Sequence, residues 1–303
     1  QGSDGQVLTS TGSGVAWEAA GGGGGATFKT FGTGSIMVGD DATGTINAAD
    51  NNTGLGVDVF AALTSGDGNT AVGNIALDAI TTSSDNTAVG HQSLTNATSG
   101  VGNTALGKGT MTAVVTGSNN VAVGRYALSA NTSASNNVAV GVGAMQTTNT
   151  GASNTAVGEN SLYANTSGGF NVAVGRFALD ANTSASYNTA IGYGTLTLNT
   201  TGHDNTACGI NSLAANTTAH YNTAVGSSAL EGCTTGEYNT ALGQLSMGGA
   251  AHTGNFNTAV GRSALRLCTS GSSNVAIGLS AGASTTTSNN NCFMGESTGY
   301  ANT

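Results

Sequence analysis

Three columns of residues carry types that could do chemistry at a fixed spacing. His203, His220 and Glu237 recur every 17 residues. If successive 17-residue segments stack, their donors sit about 5 Å apart, within reach of a shared metal ion. Solvated turn residues are the competing use of that column. One residue later come Phe170, Tyr187, Tyr221, Tyr238 and Phe256, with Asp204 interrupting the series. Stacked rings can stiffen a repeating face, and they can also meet sugar rings or apolar receptor groups. The third column is Thr132, Thr166, Thr183, Thr200, Thr217, Thr234 and Thr269. Regular threonine arrays order water, so ice binding is a rival reading, but this column falls in NTSG-type turns and not on a flat strand. Asn131, Asn165, Asn182, Asn199 and Asn216 match N-x-S/T, a pattern that a repeating turn produces by itself.

Catalytic constellations are missing from the sequence. There is no nucleophile elbow, no HExxH and no phosphate loop. The acidic residues are scattered, so no carboxylate pair for glycoside cleavage stands out. The four cysteines, Cys208, Cys233, Cys268 and Cys292, lack metal-site spacing and read as small buried apolar side chains. Cys233 and Cys268 would lie two segments, roughly 10 Å, apart, too far for a disulfide. The expectation is a protein without enzymatic activity or cofactor.

The elements that would position these columns follow from composition and repeat. Of 303 residues, 49 are Gly, 46 Thr, 45 Ala, 33 Asn and 30 Ser. Charged residues make up 7%, aromatics 5%, and proline is absent. A net charge of −9 argues against nucleic-acid binding. The lack of a long apolar run argues against membrane insertion. Such a chain is either low-complexity disorder or a repeat with a thin core. Asn-x-Ala-x-Gly decides, because it ends at Gly73 and returns every 17 residues to Gly243, then at Gly261 and Gly278, with its register glycine again at Gly295. Stepping backwards reaches Gly56 and Gly39, which makes 16 register glycines. A period kept this long specifies an all-β parallel β-solenoid of about 16 coils.

The unit N-T-A-V-G-x-x-A-L-x-x-N-T-S/T-G-x-x is too short for a helix pair. NTAVG reads as a short strand. The stretch after it, as at 125–130, reads as a second strand, giving a two-strand roll with a three-faced coil as the alternative. Val72, Val89, Leu106 and their successors would meet Leu77, Leu94, Met111 and theirs inside. Two large side chains per coil, at about 1.5–3 kcal/mol each, fall well short of ordering costs of about 1–2 kcal/mol per residue, so such a coil is marginal alone. Strand alternation then turns Ala71, Ala88, Ala105, Ala122, Ala139, Ala156, Ala173, Ala190, Ala207, Ala224, Ala241, Ala259 and Ala276 outwards. A face held at alanine suggests close approach of another chain, so these residues are the expected contacts of a homotrimer. The alternative is that alanine fits a crowded corner. The asparagines from Asn69 to Asn291, one per coil, are placed to hydrogen-bond as a ladder, and the glycines mark sharp corners.

NTAVG followed by xxAL resembles the head repeat of trimeric autotransporter adhesins, N-S-V-A-I-G-x-x-S/A, over roughly residues 35–303. That resemblance implies a trimer of left-handed parallel β-rolls that binds host surfaces. This chain departs from it in a longer repeat. NTAVGxxALxxNTTG and the segment GSDGQVLTSTGSGVAWEAA at 2–20 also resemble repeats and a short motif of phage tail fibres and other virion adhesins. The resemblance implies a virion tail fibre, with other tail proteins and a host-surface glycan or protein as partners. A bacterial cell-surface adhesin head and a pure spacer shaft are the alternatives.

Residues 1–20 read as a β-hairpin around STGSG, 21–25 as a glycine linker and 26–303 as solenoid, a rod on the order of 75–80 Å at about 4.8 Å per coil. Trp17 is expected at a trimer axis. The 18-residue step falls in an outer turn at 247–255, where an insertion costs little. The chain starts at Gln1 without a recognisable signal peptide and ends in repeat-like sequence, as a fragment or processed product would.

Overall fold

The computed structural model describes residues 7–10, 15–18, 27–29, 33–39, 49–249 and 251–299. The linker glycines Gly21–Gly25 lie outside them, as does the side chain of Trp17. All regular elements among the described residues are β-strands. Val7–Ser10 and Val15–Glu18 pair antiparallel as a hairpin, and Thr27–Lys29 pairs antiparallel with Ile36–Gly39. From Ile36–Gly39 onwards the pairing is parallel.

The chain divides into two compact units, Gln1–Asn137, which includes these antiparallel pairs, and Val138–Thr303, and each contains a parallel β-solenoid. In the first, Ile36–Gly39, Thr53–Gly56, Thr70–Val72, Thr87–Val89, Thr104–Leu106 and Val121–Val123 pair in succession. In the second, strands pair from Val138–Val140 to Cys292–Met294, each residue matching the one a repeat later, as Ala173 does Ala190. The 18-residue step leaves this register intact, with Ala241 opposite Ala259. The extra residue is absorbed in the turn.

Each coil holds one strand, not two. Residues 125–130, expected as a second strand, are turn. Left-handed φ values at Tyr126 (59°) and Leu128 (51°) bend the chain there. The turns carry their own ladder of backbone bonds. Asn160 N–H donates down to Val142 C=O (3.0 Å), while Leu162 and Ala164 donate up to Ala178 and Asp180 (2.9 and 2.8 Å). These bonds offset the roughly 1–2 kcal/mol that a left-handed non-glycine residue costs. The register glycine permits closest approach: a Cβ on Gly175, at φ 133°, would stand 2.4 Å from the carbonyl oxygen of Gly192.

The two faces of the strand are the reverse of the sequence expectation. Ala71, Ala88, Ala105, Ala122, Ala139, Ala156, Ala173, Ala190, Ala207, Ala224, Ala241, Ala259 and Ala276 are wholly buried inside their own coils. They cannot form a contact with another chain. The neighbours expected in the core face outwards instead, with Leu106, Ile191 and Leu242 exposed at 45%, 42% and 47%. A slip of one residue in phase exchanges the faces of a strand. The physical reason for the observed phase is space. Alanine shares the narrow interior with the buried Leu77, Leu94, Met111 and their successors, and two large side chains per level would overpack it. Where one column changes, the other compensates. Gly54 replaces alanine beside Phe60, whose ring would lie 3.1 Å from a Cβ there. Phe293 replaces alanine in the last coil, and its ring lies where Cβ atoms on Gly282 and Gly299 would be, at 2.6 and 2.2 Å.

The asparagine column forms the expected ladder inside the coil. Asn205 Oδ1 accepts the Asn222 N–H (3.0 Å), and Asn205 Nδ2 donates to Asn188 Oδ1 (3.2 Å) and Ala219 C=O (2.9 Å). The same pattern recurs at Asn86–Asn103–Asn120 in the first unit. Replacing Asn205 by alanine orphans the Asn222 N–H, while the Ala219 carbonyl keeps the bond from Asn216 Nδ2 (3.2 Å). At about 1–3 kcal/mol for a buried unpaired group, Asn205→Ala lowers local stability by about 1–3 kcal/mol. Thr206→Ala, at the neighbouring exposed position, changes it by less than about 0.5 kcal/mol. Hydrogen-exchange protection of the flanking coils measures both.

Candidate functional site

The aromatic column is set by the asparagine ladder, because each ring precedes a ladder residue: Phe170–Asn171, Tyr187–Asn188, Tyr221–Asn222, Tyr238–Asn239 and Phe256–Asn257. All five aromatic residues adopt left-handed φ between 57° and 62°. Each N–H donates to the coil before, as Tyr187 N–H does to Gly169 C=O at 3.2 Å. This backbone turns the side chains out, and all five rings are exposed. Phe170 stacks on Tyr187 (5.2 Å, 3° between planes), Tyr221 on Tyr238 (4.8 Å, 16°) and Tyr238 on Phe256 (5.1 Å, 14°). Stacked this way, rings cover one another's faces and show solvent their edges. Asp204 breaks the ladder, so it is two ladders with a space between them.

His203, His220 and Glu237 do not gather as metal ligands. The two imidazoles stack at 3.8 Å. His203 Nδ1 bonds Asp204 Oδ2 at 2.7 Å, and His220 Nδ1 accepts the His203 N–H at 2.9 Å. Those nitrogens are committed within the turn. Among the described residues, no group of three or more His, Cys, Asp or Glu side chains is placed to hold a metal ion. The turn threonines are a structural ladder too: Thr166, Thr183 and Thr200 hydroxyls donate to Thr183, Thr200 and Thr217 carbonyls at 2.9, 3.1 and 3.0 Å.

The cysteines divide. Cys233 and Cys268 are buried, and burial pushes their thiols up to about 12 and about 11, which makes them inert. Cys208 is half-buried and Cys292 exposed, contrary to expectation, because both lie on the outward strand face.

Two features escaped the sequence reading. Asn165, Asn182, Asn199 and Asn216 form a second buried ladder, with Nδ2 to Oδ1 distances of 3.0, 3.1 and 2.8 Å. Their N-x-S/T pattern concealed it, but their 17-residue recurrence was the available signal. The other is the outward strand face. Thr189, Thr206, Thr223 and Thr240 form one row, and Ile191, Cys208, Val225 and Leu242 the next. No charged residue occurs in the strands from Thr53–Gly56 to Cys292–Met294.

Near the 18-residue step, His252 occupies the interior. Its Nδ1 lies 3.1 Å from Cys268 C=O. Burial lowers its pKa below the ordinary 6.5, with backbone bonds opposing. Burial and then the charge of His203 lower that of the more exposed His220. The folded state therefore binds fewer protons than the unfolded chain as pH falls through 6.5. The stability contributed by neutral histidine is complete above that pH and is lost as pH drops through the depressed folded values. Thermal melts should show a Tm that falls from pH 6.5 downwards, and His252→Gln should flatten that fall relative to its own neutral-pH value.

Comparison with protein-family models, with characterised proteins and with solved structures finds no match for this chain.

Proposed function

We propose that the chain is the shaft of a host-attachment fibre, a homotrimer that carries its aromatic ladders on the outside. The observation that supports this reading is the outward strand face. Row upon row of threonine and aliphatic side chains, free of charge, leaves a broad apolar strip of the kind that marks an association surface. Closing three such strips around an axis buries them and leaves the turns, with their aromatics, facing solvent. The alanines stay inside each chain. Attachment in a virion tail fibre is the biological setting that the repeat motif suggests. Weak contacts repeated along the shaft add by avidity, so no single tight site is required.

The same face supports a second reading. Threonine and valine rows on successive parallel strands match the periodic arrays expected of an ice-binding solenoid, and the turn threonines play no part in it. The two readings exclude each other on this face, because a strip buried between chains cannot touch ice. Sedimentation of the full chain should give three times the monomer mass. Val174→Glu combined with Val225→Glu should yield a folded monomer, since charges at these outward positions are tolerated by the coil and not by the interface. A wild-type monomer at micromolar concentration with thermal hysteresis would overturn the fibre reading in favour of ice binding.

A further inference from the structure

We infer that the break in the aromatic ladder at Asp204 is a carbohydrate-binding site for a single pyranose ring. Elsewhere in the column rings stack about one coil apart, so neither face of an inner ring is free. At the break, Tyr187 keeps one face uncovered and is 57% exposed. A cavity of about 290 Å³ opens against it, lined by Ser184, Ser186, Tyr187, Thr201, His203 and Asp204 among others. Across the break, His203 stands edge-on to Tyr221 at 5.4 Å and 87°.

The open face of Tyr187 and the polar groups opposite it favour a sugar. The His203 ring occupies the Tyr221 side of the break, so the space lies between Tyr187 and the His203–Asp204 turn. A pyranose chair lays its apolar C–H face on the Tyr187 ring. The surrounding groups suit its hydroxyls. The Asp204 carboxylate accepts hydrogen bonds, and it is held by His203 at 2.7 Å. Ser184 and Thr201 add hydroxyls at the cavity wall. The ladders on either side hold the rings that border the space, so the site is preorganised by the same stacking that it interrupts.

This inference rests on the attachment reading, and its test separates the two. The full chain is passed over an array of hexose and N-acetylhexosamine oligosaccharides. Asp204→Tyr installs the ring that the column carries elsewhere and closes the space. It and Tyr187→Ala should each cut retention at least tenfold, while Tyr163→Ala, at an exposed ring outside the column, should leave retention unchanged. Retention that survives Asp204→Tyr, equal losses in all three variants, or no retention of any sugar by the wild type would overturn the site. A chain that adheres to whole cells yet retains no sugar refutes the site and leaves attachment standing. Sugar retention that Asp204→Tyr abolishes, in a chain that adheres to no cell, does the reverse.

Discussion

A column of buried amide side chains governs this structure. Each asparagine occupies an interior where an unpaired polar group is costly, and its bonds run to the coil before, to the coil after and to turn carbonyls. Asn171 Oδ1, for example, takes the N–H of Asn188 at 3.0 Å. That requirement allows one register. A coil displaced by a residue would strand amides along the whole column. The apolar contribution per coil is small by comparison, an alanine and a leucine or methionine. Polar continuity sets the alignment, and the thin core fills what space remains.

The solenoid, its period, the asparagine ladder and the parallel order were legible because each rests on recurrence, and recurrence is visible in one chain. The inside and outside of the strand were not. A strand of three residues gives an alternation of one against two, and valine is the better core residue by hydrophobicity alone. Volume decided otherwise. The sequence does hold the evidence in its exceptions: Gly54 with Phe60, and Phe293 with Gly282 and Gly299, are size exchanges between two columns, and only columns that touch need to compensate. The second asparagine ladder was hidden for the opposite reason, since a turn-like motif offered a sufficient explanation of residues that are in fact interior.

The candidate site was half legible. The aromatic column and its interruption can be read from spacing, but not the stacking that covers most ring faces and leaves Tyr187 open. The histidine column shows the same limit. Equal spacing brought His203 and His220 together, yet as stacked rings whose nitrogens face a carboxylate and a backbone amide. Side-chain direction, set by a left-handed turn residue, separates proximity from convergence.

The asparagine ladder also has a direction. Each amide oxygen accepts from the coil that comes later in the chain, so a finished coil displays acceptors for residues still to be added. The bonds between successive ladder asparagines close over 17 or 18 residues, as between Asn239 and Asn257. No coil waits for a distant segment, which keeps contact order low and lets order spread from neighbour to neighbour. Synthesis from the N-terminus runs the same way. A nascent chain on the ribosome can be wound up as it emerges, each coil serving as the template on which the next one sets.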